Sequence, residues 1–145
     1  MHDLLNTQLI SLLEGNANQT SKELARQLNV SSSTIRRRTK ELIQQGTLHI
    51  VAIPEPKNIG VNMVAIIAFQ VQHEHLSSVL DTLKSREDVK CLYATSGRYD
   101  MLALMWFSST EQLYKFMEED IAKLEGVKGT ETFVCMHAVK TFWSR

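Results

Sequence analysis

The stretch Ser31-Ser32-Ser33-Thr34-Ile35-Arg36-Arg37-Arg38-Thr39-Lys40 sets four hydroxyl side chains directly ahead of three arginines, with a lysine shortly after. Hydroxyls are small polar groups that can approach a nucleic-acid groove closely, and cations reach phosphate oxygens or guanine edges. A helix capped by Ser31 would add free backbone N–H groups at the same end, which favour a phosphate. At about 100° per residue, Ile35, Thr39, Leu42 and Ile43 gather around one direction. Ser33, Arg37, Lys40 and Gln44 then point the opposite way, with Arg36 on one flank and Arg38 on the other. The candidate DNA-contacting set is therefore Ser32, Ser33, Thr34, Arg36, Arg37, Arg38 and Lys40. A plainer reading of the same pattern is an amphipathic surface helix with solvated arginines.

The flanking sequence supplies the elements that such a helix needs. Leu4, Leu5, Leu9, Leu12 and Leu13 recur at helical spacing until Gly15 and Asn16 stop the run. Thr20-Ser21-Lys22-Glu23 has the form of a capping box and opens a second helix, with Leu24, Ala25 and Leu28 facing inward. Asn29-Val30 makes a short turn, and the Ser31 helix runs on to Gly46. Two helices joined by a short turn and followed by a β-branched run, Thr47 to Ile53, have the layout of a helix-turn-helix with a small wing. Pro54 and Pro56 then forbid a helix, so a strand followed by a stiff linker is expected up to about Gly60.

Beyond the linker the pattern reads strand, helix, strand and then repeats. Strands are expected over Met63–Gln72, Lys90–Thr95, Met101–Phe107 and Thr130–Val139. Helices are marked by Leu76, Val79, Leu80 and Leu83, and by Leu113, Phe116, Met117, Ile121 and Leu124. The expected fold class is α+β: an N-terminal winged helix-turn-helix joined by a β linker to a ferredoxin-like βαββαβ domain. Its boundaries fall at 1–50 for the DNA-binding domain, 51–61 for the linker strand and 62–145 for the second domain. The strand Met101-Leu102-Ala103-Leu104-Met105-Trp106-Phe107 is apolar on both parities, so both sheet faces should be covered. With the helices on one face, a second copy of the chain would cover the other in a two-fold dimer.

Net charge is zero, which gives the molecule no overall field to attract nucleic acid or a membrane. Residues 20–46, however, hold six basic side chains against two acidic ones, so positive charge is concentrated at the candidate reading helix. No apolar run approaches the roughly 20 residues that a membrane helix needs, and the start of the chain lacks the layout of a signal peptide. A cytoplasmic protein is expected, with no membrane contact. Cys91 and Cys135 lie in apolar runs and read as buried thiols rather than a disulfide.

Enzymatic chemistry has little to stand on. His73-Glu74-His75 resembles a metal pair, but no third ligand is near in sequence, and a solvated loop accounts for it. His137 reads as a buried, hydrogen-bonded histidine on the last strand, and Glu118-Glu119-Asp120 as a solvated helix face. No phosphate loop or nucleophile motif is present. No catalytic residue, metal site or cofactor is expected, and the protein is not read as an enzyme.

Two long segments resemble the leucine-responsive regulatory family, also called Lrp/AsnC or feast/famine regulators. The first runs LLNTQLISLLEGNANQTSKELARQLNVSSSTIRRRTKELIQQGTLH, and the second comprises SGRYDMLALMWFSSTEQLYKF with LEGVKGTETFVCMHAVK. The turn Ser96-Gly97-Arg98-Tyr99-Asp100 is the most family-specific piece. The resemblance implies a transcription regulator that binds double-stranded DNA. It also implies dimers associating further, up to octamers, and a small-molecule effector, an amino acid or a similar compound. Carried onto this chain, the effector site would involve Gly97, Arg98, Tyr99 and Asp100 with Thr130, Thr132, Phe133 and Val134. Backbone N–H groups of the turn would take a carboxylate and Asp100 an ammonium, although Gly97 and Asp100 also read as residues that simply make the turn. Arg98 departs from the acidic or small residue that the family often has there, and Glu41 stands where a basic residue is common. Two other readings remain: a tetrapyrrole (sirohaem-type) decarboxylase on the same scaffold, and a non-specific nucleoid-organising protein.

Overall fold

The computed structural model describes residues 3–141. It divides into two compact units on either side of the Ala52–Ile53 bond. The outermost residues of both expected domains, 1–2 and 142–145, lie outside the described residues.

The first unit holds three helices, α1 (Leu4–Gly15), α2 (Ser21–Leu28) and α3 (Ser32–Gln44). Each begins where a side chain satisfies a backbone N–H that the helix leaves orphaned. Asp3 accepts from Leu5 N, and Ser31 accepts from Thr34 N. Thr20 and Glu23 form the full capping box, each side chain accepting from the other's backbone N–H. The turn between α2 and α3 depends on Asn29, whose φ of 53° lets the chain reverse at once, a conformation that Asn tolerates better than most residues. Leu9, Leu13, Leu24, Ala25, Ile35, Leu42 and Leu48 form the buried core of this unit.

Residues 47–53 differ from expectation, because they form no strand. A strand exists only through its ladder, and no described segment lies alongside this one. Leu48 is buried, while Ile50, Val51 and Ile53 remain exposed. Pro56 then opens a 3₁₀ turn, Pro56–Ile59, which closes on Gly60 at φ 79°.

The second unit contains β1 (Met63–Val71), α4 (Leu76–Lys84), β2 (Val89–Ala94), β3 (Met101–Phe107), α5 (Thr110–Lys115) and β4 (Val127–Val134). The sheet order is β2-β3-β1-β4 with every neighbour antiparallel, the ferredoxin-like arrangement. One face carries Ala65, Ile67, Phe69, Met101, Ala103, Met105 and Phe107, which pack with Val79 and Leu83 of α4 and with Phe116. α5 does not continue as one regular helix. It widens into a π turn over Phe116–Asp120 and tightens into a 3₁₀ turn over Ile121–Lys123.

Strand β4 starts three residues earlier than expected and ends five residues sooner. That shift moves His137 and Cys135 off the sheet, and both are exposed rather than buried. Cys91 is half-buried. On the sheet face away from the helices, Leu102 and Leu104 are half-buried, while Ile66, Tyr93 and Phe133 are exposed. Within one chain, therefore, β3 is fully covered on its helix side only.

Candidate nucleic-acid interface and effector site

Helix α3 presents its polar side as the helical repeat requires. Ser31 is held by its own capping bond and by hydroxyl contacts of 2.8 Å to Ser33 and to Thr34. Ser33, Arg36, Arg37 and Lys40 are exposed, whereas Ser32 and Thr34 are half-buried.

The four cations, alike in sequence, have different partners. Arg38 reaches α1, with Nη1 2.5 Å from Asp3 Oδ2 and 3.5 Å from Asn6 Oδ1. Its Nε is buried without a hydrogen-bond partner among the described residues. Its guanidinium is thus committed inside the unit, which removes it from the outward set expected from the helical wheel. Arg37 pairs with Glu41 at 2.8 Å on the open face. Arg36 and Lys40 have no ion pair among the described residues. Asp3 was invisible as a partner because it lies far from Arg38 in sequence, whereas Glu41 sits one helical turn from Arg37 and could have been found by spacing alone.

The turn between β2 and β3 is firmly braced. Gly97 has φ 111°, which an L side chain rarely adopts. Thr95 N donates to Asp100 O at 2.9 Å and Thr95 Oγ1 to Tyr99 O at 2.6 Å. Asp100 N donates to Phe69 O, and Asp100 Oδ2 accepts from Val71 N at 2.8 Å. The Asp100 carboxylate thus fastens the turn to the end of β1. The Tyr99 hydroxyl donates to Glu131 Oε2, and the Arg98 guanidinium lies 5.3 Å from the Tyr99 ring centroid.

Register separates the remaining effector candidates. Thr130 and Thr132 pair with Phe69 and Ile67 and so share the helix-covered face, where Thr132 Oγ1 lies 3.6 Å from Met117 Sδ. Phe133 pairs with Ile66 and Glu131 with Ala68, so both lie on the open face. Val134 follows the parity of Thr132 but is exposed at the strand end. The structure therefore brings Tyr99, Glu131 and Phe133 to one face and turns the two threonines away from it. Glu131 was missed because only the β1–β4 register reveals it.

Elsewhere in this unit Arg86 holds Asp88 through two contacts of 2.9 and 2.7 Å and Asp120 at 2.9 Å, with its guanidinium 4.7 Å from the Phe116 ring centroid. Hydrogen bonding to Asp88 raises its pKa, burial opposes that, and Asp120 reinforces it. The expectation of a wholly solvated acidic face is corrected here, since Glu118 and Glu119 are exposed but Asp120 is enlisted by Arg86. Among the described residues no group of three metal-ligating side chains occurs, His73-Glu74-His75 included.

Comparison with known proteins agrees with this division of the chain. Residues 64–142 match the family model described as the Lrp/AsnC ligand binding domain, and residues 3–48 match one described as winged helix-turn-helix DNA-binding. The chain is 30% identical to the HTH-type transcriptional regulator Ptr1 of Methanocaldococcus jannaschii, over 97% of this chain and 95% of that protein. Among solved structures, Escherichia coli AsnC superposes with a TM-score of 0.85 at 26% identity, covering 97% of this chain and 96% of AsnC. A Neisseria meningitidis transcriptional regulator solved as an L-Met complex gives a TM-score of 0.88 at 19% identity, covering 97% of this chain and 94% of that one.

Proposed function

The chain belongs to the Lrp/AsnC family of helix-turn-helix transcriptional regulators, and on that premise we propose that α3 is its DNA-reading element. The observation that carries this reading is the pair of exposed cations, Arg36 and Lys40, beside the exposed Ser33 and free of acidic partners among the described residues. Their charge is available to phosphates, and each phosphate contact adds about 0.9 to the slope of log affinity against log salt. Ser32, Ser33 and Thr34 at the helix start set the register. Arg38 contributes by holding α3 against α1. Binding of full-length protein to a pool of random 20-base-pair duplexes, titrated across salt, tests the reading. A steep loss with salt is expected, with Arg36→Ala and Lys40→Ala each flattening the slope, and a salt-insensitive result overturns it.

The second unit senses a small effector through the turn Gly97–Asp100 together with Phe133. The neighbouring regulator solved with L-Met supports an amino acid as the effector class. Arg98 suits a carboxylate, and the acidic Glu131 beside Tyr99 suits an ammonium. Apolar groups left open on the sheet, Ile66, Tyr93 and Phe133, favour a homodimer through that face, with further association of dimers. Paired reading helices imply a pseudo-palindromic operator. We read the protein as a cytoplasmic regulator without catalytic activity. No helix among the described residues is long and apolar enough to cross a membrane. Calorimetric titration with the twenty amino acids tests the effector reading, and heat of binding that persists unchanged in Arg98→Ala would count against this site.

A further inference from the structure

We infer that Arg37 and Glu41 act as one base-reading couple that recognises a G·C base pair in the major groove, while Arg36 and Lys40 hold phosphates. The inference rests on the DNA-binding reading of α3 and specifies what the open face of that helix reads.

Arg37 Nη1 and Glu41 Oε1 are 2.8 Å apart, and both side chains are accessible, at 59% and 40%. The pair is poorly placed to stabilise the helix. An arginine four residues ahead of a glutamate is the weaker orientation for such a pair. Glu41 also lies in the last turn of α3, where the helix dipole disfavours an anion, and no basic residue in that turn offsets it. Exposed ion pairs in general contribute little to folding. Nor is the couple a good phosphate ligand, because the carboxylate cancels the arginine's charge and repels an anion.

Its donor and acceptor order suits a base pair instead. Across the major groove a G·C pair presents guanine N7 and O6 as acceptors and then the cytosine N4 amino group as a donor. A guanidinium fork beside a carboxylate offers the complement, two N–H donors and then an acceptor. Arginine has five N–H donors, so the one given to Glu41 still leaves enough for a bidentate contact with guanine. The contact to Glu41 also restrains the fork before DNA arrives, which lowers the ordering cost on binding. An A·T pair presents acceptor, donor, acceptor in this order, so it would leave the Glu41 carboxylate facing thymine O4.

The test is selection of bound sequences from a random 20-base-pair duplex pool by full-length protein, followed by titration of the winning duplex and its single-pair variants. Wild type should select an invariant G·C pair in each half-site. Glu41→Ala should lose discrimination at that pair by roughly 10- to 100-fold, and Arg37→Ala should lose it at the same position. Lys40→Ala should instead weaken all duplexes alike and flatten the salt slope by about 0.9. If Glu41→Ala selects the same sequence and simply binds every duplex more tightly with a steeper salt slope, Glu41 is only a screening charge and the inference is overturned. Failure of wild type to bind any duplex would instead remove the DNA-binding reading itself. Thermal melts of the variants confirm that each is folded during these measurements.

Discussion

Arg38 of α3 grips Asp3, the residue that caps α1, with Nη1 2.5 Å from Oδ2. One carboxylate thus both starts the first helix and anchors the third. Asp3→Asn keeps a good cap but removes the charge, so it isolates the ion pair and should cost about 1 kcal/mol. Asp3→Ala removes the cap as well and should cost about 2 kcal/mol. Chemical denaturation of the three proteins measures the difference, and equal stabilities for the two variants would mean that the cap is idle.

The capping box carries a pH signature. The Thr20 backbone N–H and hydroxyl both donate to Glu23 and hold its pKa below the ordinary carboxylate value. A depressed folded-state pKa contributes stability that is fully present above the unfolded value and is lost as pH falls through the folded one. Melting temperature should therefore drop on acidification to below about pH 4.3, the ordinary glutamate value, and the drop should be smaller in Glu23→Gln. Parallel melting curves from pH 6 to pH 3 for the two proteins would refute this.

Two glycines with positive φ should respond differently to alanine. A Cβ on Gly97 meets no heavy atom within 4 Å, so only backbone strain opposes it, at about 1–2 kcal/mol. A Cβ on Gly126 would lie 2.4 Å from His75 Cβ, so Gly126→Ala adds a collision to comparable strain and should cost about 3 kcal/mol or more. His75→Ala keeps the offending Cβ and should give no rescue. Urea melts of the single and double variants check both statements.

Lysine cannot replace Arg86. Its ammonium cannot match the two-pronged grip on Asp88 while also reaching Asp120. Arg86→Lys should lower stability by about 1–3 kcal/mol, and calorimetry should register a reduced melting temperature. A variant as stable as wild type would show that these acids tolerate solvent alone.

The open sheet face predicts assembly. Phe133→Glu places a charge among exposed apolar groups, including its cross-strand partner Ile66. Light scattering should find a shift toward monomer at low micromolar concentration, with the circular dichroism spectrum unchanged. Full retention of the wild-type mass would assign the assembly to another surface.

Much of this molecule was legible in its sequence because local rules dominate there. Thr20-Ser21-Lys22-Glu23 forms the box that its spacing announces, Ser31 caps the third helix, and Met101–Phe107 is a strand with the expected bounds. Local rules failed where a partner decides the outcome. Residues 47–53 have strand composition, but composition supplies no ladder. Arg36, Arg37 and Arg38 are neighbours in sequence, yet the helical repeat turns each toward different company. Thr130 and Thr132 were grouped with Phe133 by adjacency, and the alternation of a strand assigned them to opposite faces.

The wide turn at Phe116–Asp120 makes chain length matter more than residue identity in that stretch. A π turn spends an additional residue without advancing the helix, so it works as a phase slip. Phe116 can lie in the core while Asp120 still meets Arg86. Exchanging the exposed Glu118 or Glu119 leaves that phase intact. Deleting either would rewind the segment to an ordinary helix and rotate everything after it by about 100°, carrying Asp120 away from its guanidinium.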